Sequence, residues 1–161
     1  MSREDEETLR DKVAIYRTRD KQRAGTRRLR DNEKTLIEII QSLDKDYEGL
    51  LVVVEGKRDE SVLRNLGLKA PIVRTQSGVP RPRFLDQLAS RVGKKGQVLI
   101  LTDFDQKGNE ICSHIARELE IRSVKVLRRI RREIRKAMGN WRCIEELTAL
   151  FKRKDSPEPV A

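Results

Sequence analysis

Two apolar runs in this chain stop at carboxylates. Leu50-Leu51-Val52-Val53-Val54 runs into Glu55-Gly56-Lys57-Arg58-Asp59, and Gln97-Val98-Leu99-Ile100-Leu101-Thr102 into Asp103-Phe104-Asp105. Runs of this length, partly β-branched, read as buried parallel strands that deliver acids to one edge of a sheet. Asp103 and Asp105 stand two apart, so in extended backbone they point the same way. With Glu55 beside them they form an all-oxygen cluster of the kind that holds Mg²⁺, with Mn²⁺ as an alternative occupant. A cation held there can offset charge developing on a phosphodiester and lower the pKa of an attacking water. His114, the only histidine, falls inside a later helix and reads as a surface or packing residue. No Ser/His or Cys/His pairing supports nucleophilic catalysis.

The elements that position these acids follow from the pattern around them. Asp31 or Asn32 can cap a helix carrying Leu36, Ile37, Ile39, Ile40 and Leu43 at helical spacing. After the first strand, Asp59 either caps a helix over Glu60 to Leu66 or stands near the metal, and Gly67 ends that helix. Pro71 to Arg74 reads as a short second strand, and Thr75-Gln76-Ser77-Gly78 as a turn. Pro80-Arg81-Pro82-Arg83 opens a helix over Phe84 to Val92. Arg81 and Arg83 then lie near the mouth of the site, as solvated loop residues or as phosphate contacts. A helix over Asn109 to Glu120 follows the second acidic motif, and Ser123 to Leu127 forms a fourth strand. Right-handed crossovers give a parallel sheet covered on both faces. For Glu55 to meet Asp103 and Asp105 the first and third strands must be neighbours, which gives the order 2-1-3-4.

Composition bounds the partners. The chain has 161 residues, 39% of them charged, with a formal balance of +10. That is one domain of ordinary size with appendages, and a surface suited to a polyanion. Arg17, Arg19, Lys21, Arg23, Arg27, Arg28 and Arg30 stand against Asp20 alone in residues 17–30. Residues 1–31 read as a basic, flexible arm that either stays solvated or orders on nucleic acid. Residues 32–152 form the domain, and 153–161 a loose tail. Between 128 and 138, Ile130, Ile134 and Ala137 or Met138 keep one apolar helix face, while Arg128, Arg129, Arg131, Arg132, Arg135 and Lys136 crowd the rest. This basic face reads as a nucleic-acid contact. No segment approaches the roughly 18 apolar residues of a membrane span, and Met1 to Asp5 lack a signal peptide's apolar core. The expectation is a soluble cytoplasmic protein with no membrane partner. Cys112 and Cys143 have no metal-ligand spacing and read as reduced core residues. Trp141 reads as a packing anchor in a last helical segment.

The two acidic motifs resemble those of the Toprim domain, shared by topoisomerases, bacterial-type primases, OLD-family nucleases and the ribonuclease that matures small ribosomal RNA. The signature is a hydrophobic strand ending Glu-Gly with an acid shortly after, then a hydrophobic strand ending Asp-x-Asp with Gly three residues on. Here it reads Glu55-Gly56-Lys57-Arg58-Asp59 and Asp103-Phe104-Asp105-Gln106-Lys107-Gly108. Because Lys57 follows Glu-Gly, the first motif looks most like the ribonuclease and the small stand-alone archaeal Toprim proteins. The resemblance implies a three-layer α/β fold with a four-stranded parallel sheet. It also implies that Asp103 and Asp105 hold Mg²⁺ and that Glu55 transfers a proton, a role that can be shared with metal binding. Lys57 would stabilise the pentacovalent phosphate. Gly56, Asp59 and Gly108 would support the ligands or cap the following helices.

Topoisomerases need a nucleophilic tyrosine on a separate domain, yet Tyr16 and Tyr47 lie outside the motif region. Primases carry zinc-binding and polymerase-associated parts that this chain lacks. The leading reading is therefore a Mg²⁺-dependent nuclease acting on structured nucleic acid, RNA favoured over DNA. The alternative is a metal-binding module, weakly catalytic or inert, that docks on RNA or a ribonucleoprotein.

Overall fold

The apolar runs form the centre of a parallel sheet in the computed structural model, which describes residues 27–160. In chain order the elements are α1 (Asp31–Asp46), β1 (Leu50–Val54), α2 (Lys57–Asn65), β2 (Ile72–Arg74), α3 (Arg81–Val92), β3 (Gln97–Ile100), α4 (Gln106–Ile121), β4 (Lys125–Val126) and α5 (Arg128–Ala137), followed by a 3-10 helix (Ile144–Lys152). The strand order is β2-β1-β3-β4, all parallel, with Val52 opposite both Ile72 and Leu99. The expected three-layer fold and strand order are those observed.

Alternation along the central strands divides the interior into two cores. Val52, Val54, Leu99 and Leu101 face a cluster built with α1, α2, α5 and the 3-10 helix. Leu51, Val53, Val98 and Ile100 face a second cluster under α3 and α4. β1 is buried along its whole length, which explains why it reads as a continuous apolar run. Phe151, from the 3-10 helix, is fully buried, and burying a side chain of this size contributes about 1.5–3 kcal/mol. Trp141 packs against the first core at its margin, as expected of an anchor.

Several boundaries differ from the sequence reading. α1 is entered from Arg30: the Glu33 carboxylate reaches back to accept the Arg30 N–H at 2.9 Å, while Asn32 donates to the Ala137 carbonyl at the end of α5. α2 begins at Lys57 instead of Glu60, so Asp59 lies in its first turn. β4 shrinks to Lys125–Val126, because only Gln97 and Val98 of β3 pair with it. The segment expected to be a loose tail is fastened as far as Val160. Arg153 pairs with Glu33, Asp155 accepts the Leu29 N–H at 2.7 Å, and the Val160 N–H donates to the Asn65 carbonyl at 3.0 Å. Most of the expected basic arm lies outside the described residues; its last part, Arg27 to Arg30, meets this tail, and Leu29 packs on the first core. No described helix is long and apolar enough to cross a membrane.

Candidate metal centre

β1 and β3 are neighbours in register, so their carboxyl ends bring Glu55 and Asp103 together at the point where the chain's crossovers diverge. The Asp103 N–H faces Glu55 Oε2 at 3.4 Å, and the two carboxyl groups are close enough to interact directly. The turn after β2 closes the other side, with the Thr75 N–H on the Val54 carbonyl at 2.9 Å and the Gln76 N–H on the Glu55 carbonyl at 3.0 Å. Lys57 and Arg58 are exposed in the first turn of α2, and Arg81 and Arg83 in the first turn of α3 are half-buried and exposed. These helices, with α4, start at the carboxyl edge of the sheet and direct the positive ends of their dipoles to the same rim.

The loop from β3 to α4 is held from three directions. Asp105 is the N-cap of α4, its Oδ1 accepting the Gly108 N–H at 2.7 Å. Thr102 Oγ1 donates to the Gly108 carbonyl at 2.9 Å. A Cβ on Gly108 would stand 2.0 Å from the Asp103 carbonyl oxygen, so only glycine lets the helix approach this closely. Arg131, reaching over from α5, donates to the carbonyls of Ile100 and Thr102 at 2.9 Å each, to that of Asp103 at 3.2 Å, and to Asn109 Oδ1 at 3.0 Å. The sequence reading grouped Arg131 with the phosphate contacts; the structure commits its donor fork to the backbone that carries the acids. No local pattern marks this role, since Arg131 lies in a run of arginines and its partners are distant in sequence.

Among the described residues, the group of acids and thiols close enough to hold one ion is Asp103, Asp105 and Cys143, whose ligand atoms lie within 4.8 Å of one another. Glu55 stands beside this group, not in it. Cys143 comes from the segment after α5, which is tied to the acid loop by the Phe104 N–H donating to the Arg142 carbonyl at 2.6 Å. The expectation that both cysteines are core residues holds only in part. Cys112 packs half-buried against the second core, whereas Cys143 belongs to neither core and faces the acids. Both are free thiols, so no disulfide joins them. Two carboxylates at this spacing suit a divalent cation that keeps several waters.

Electrostatics separates the acids. Burial raises the Glu55 carboxyl and the adjacent Asp103 carboxylate raises it further, against the hydrogen bond from the Asp103 backbone, so that it is pushed up to about 7. Burial likewise pushes Asp59 up to about 6, although the Gly56 N–H bonds its Oδ2 at 3.0 Å. Asp59 also takes a hydrogen bond from the Glu145 backbone, so it links the start of α2 to the C-terminal segment. Capping and tethering thus account for Asp59, and Gly56 supplies the N–H it caps. Burial and the charge of Asp103 push the Cys143 thiol up to about 12.

The basic residues of α5 divide by what they touch. Arg128 pairs with Glu120, and Arg129 lies 3.7 Å from Glu133. Arg135 is half-buried and donates to the Gly139 carbonyl at 3.2 Å. Arg132 and Lys136 are exposed and form no ion pair among the described residues. His114 is half-buried within α4, away from the acid loop in sequence.

Comparison with known proteins places this arrangement. A UPF0292 protein of Thermococcus onnurineus is 38% identical over 122 residues, covering 75% of this chain and 86% of the relative. One from Thermococcus gammatolerans is 38% identical over 124 residues, covering 76% and 88%. One from Methanocaldococcus jannaschii is 34% identical over 99 residues, covering 62% and 75%. Among solved structures, a putative protein from Aquifex aeolicus superimposes with a TM-score of 0.56 at 24% identity, covering 70% of this chain and 95% of its own, a likeness of fold. Residues 50–136, which hold both acidic motifs and all four strands, match the Toprim domain, and the chain belongs to the Toprim family.

Proposed function

We propose that the chain is a nuclease that uses a divalent cation, Mg²⁺ or Mn²⁺, to cleave phosphodiester bonds of structured nucleic acid. Toprim membership points to metal-dependent processing of nucleic acid. The observation that carries the finer reading is the separation of roles among the acids. Asp103 and Asp105 converge to a spacing that one ion can span, while Glu55 stands next to them on the adjoining strand.

When bound at Asp103 and Asp105, the cation would neutralise charge on the phosphate and acidify a water. Glu55 is the group that holds or moves a proton at its carboxyl, facing the same opening. Lys57, exposed in the first turn of α2, is the group proposed to stabilise added charge on the phosphate. Arg81 and Arg83 at the start of α3, with Arg129, Arg132, Arg135 and Lys136 on α5, are proposed to hold the flanking backbone. Their contribution positions the strand and carries no sequence preference of its own. The preference for RNA rests on the likeness of the Glu55-Gly56-Lys57 motif to the ribosomal-RNA-maturing ribonuclease.

The test is cleavage of a panel of structured RNAs and DNAs, with and without Mg²⁺, by the wild type and by Glu55→Gln. We expect metal-dependent cleavage that falls by about 10²–10⁴ in the variant while nucleic-acid affinity holds. Tight RNA binding by the wild type without any cleavage would replace the nuclease with a docking module. Full activity of Glu55→Gln would remove Glu55 from proton transfer.

A further inference from the structure

The matched family region ends at residue 136, yet the group that can close on a single ion includes a residue beyond it. Cys143 brings a sulfur to within 4.8 Å of the carboxylate oxygens of Asp103 and Asp105. Ligands of a tetrahedral zinc lie about 2.0–2.3 Å from the metal, so two of them stand about 3.3–3.8 Å apart. Drawing the three atoms together by about 1 Å, within reach of side-chain rotation, brings them onto one ion.

The thiol is held where it is by the fold. Ile144 beside it is fully buried and Trp141 before it packs on the first core. The Phe104 N–H grips the Arg142 carbonyl, and the Cys143 N–H donates to Glu146 Oε1 at 3.0 Å. With the backbone fixed on both sides, the side chain takes no part in either core. Cys112 differs, since it packs against the second core and so has a purely structural account.

We propose that Cys143 is a sulfur ligand of the metal centre, which gives the site a preference for thiophilic divalent cations such as Zn²⁺ over Mg²⁺. Hard Mg²⁺ engages the two carboxylates and leaves the thiol aside, whereas a borderline or soft cation takes the sulfur as a third ligand. On coordination the Cys143 S–H bond breaks, the sulfur keeps the electron pair for the metal, and the proton leaves to solvent. Zn²⁺ then competes with Mg²⁺ for Asp103 and Asp105. The proposal rests on the metal-holding part of the functional reading, not on cleavage.

Cadmium(II) titrated into the metal-free full chain is the direct probe, because thiolate coordination produces an ultraviolet charge-transfer band that carboxylates do not. The band is expected in the wild type and in Cys112→Ser, and absent in Cys143→Ser and Cys143→Ala. Zn²⁺ affinity should fall by about tenfold or more in both Cys143 variants. Mg²⁺ affinity should stay within about threefold, and circular dichroism with thermal melting would verify that both variants fold. A missing band in a wild type that still binds Mg²⁺ through Asp103 and Asp105 overturns the sulfur ligand and leaves the functional reading standing. A band that survives in Cys143→Ser assigns the sulfur elsewhere and also overturns it. A wild type that binds neither Mg²⁺ nor Cd²⁺ overturns both.

Discussion

The guanidinium of Arg131 lies 4.2 Å from the centre of the Phe104 ring, stacked on the residue that separates the two candidate metal ligands. The same side chain pairs with three carbonyls, one at the end of β3 and two in the β3–α4 connection, so one planar group sets the path of the acid loop. Arg131→Met keeps the bulk and removes the fork. The freed carbonyls cost about 1–3 kcal/mol each where they stay dry, so a loss of roughly 2–4 kcal/mol is expected. A thermal melt should show it, together with weaker metal binding. Arg131→Lys should recover only part of both, since an ammonium cannot span the three carbonyls. Unchanged stability in Arg131→Met would mean that water replaces the fork without cost.

Asp103 and Asp105 should answer differently to loss of charge. Asparagine caps helices about as well as aspartate, so Asp105→Asn should leave stability within about 0.5 kcal/mol while weakening Mg²⁺ binding. Asp103 is close to the Glu55 carboxyl, and Asp103→Asn removes a like charge there. That variant should melt at or above the wild-type temperature without metal and lose Mg²⁺ binding. Calorimetric titration with differential scanning checks both variants. A large destabilisation by Asp105→Asn would show that its charge, beyond the cap, holds the loop.

Acid sensitivity should arise far from this site, at Glu33. Its carboxylate is almost fully buried, and burial alone would raise its pKa. Hydrogen bonds from Arg27 and Arg153, with the Arg30 N–H, outweigh that and bring it down to about 2. A folded pKa below the unfolded value of 4.5 gives stability that is fully present above about 4.5 and lost as pH falls towards 2. The contribution is on the order of 3 kcal/mol. Glu33→Gln should therefore be less stable than wild type at pH 7, with the gap narrowing by pH 3. Denaturant melts at the two pH values measure it, and a gap independent of pH would refute the linkage.

Salt dependence can sort the basic face of α5. Arg132 and Lys136 are exposed without ion pairs among the described residues, and Arg129 pairs only loosely with Glu133. Changing these residues together to serine should flatten the slope of log affinity against log salt by about two to three, at about 0.7–0.9 per phosphate contact. Arg131→Met should leave that slope nearly unchanged in whatever fraction stays folded. Equal slopes for wild type and the serine variant would make this face a solvated surface.

The sheet was legible because parallel strands buried on both faces write themselves as unbroken apolar runs, and the acids at their ends followed from the same reading. Lys125–Val126 was harder, since an edge strand that pairs over two residues has almost no pattern of its own. Helix starts shifted where a carboxylate in the first turn reaches back to the N-cap N–H, as Glu33 does for Arg30 and Asp59 for Gly56. The contacts of Arg131 and Cys143 were not legible, for a common reason. Each residue type has a usual place, a solvated face for arginine and a core for cysteine, and only contacts made across the fold assign these two elsewhere. The fastening of residues 153–160 depends likewise on Glu33, Leu29 and Asn65, none of which is near it in sequence.

The link between the Phe104 N–H and the Arg142 carbonyl joins main-chain atoms only. Attachments of this kind leave no trace in residue identity. Proline at 104 would abolish it by removing the N–H, but nearly any other exchange at either position leaves the donor and acceptor in place. An alanine scan through 140–145 would thus register Ile144 and Cys143 and pass over Arg142, the residue whose carbonyl moors the C-terminal segment to the acid loop. Chains that share no side chain at these two positions can share the mooring, and its presence in a distant relative has to be sought in backbone coordinates.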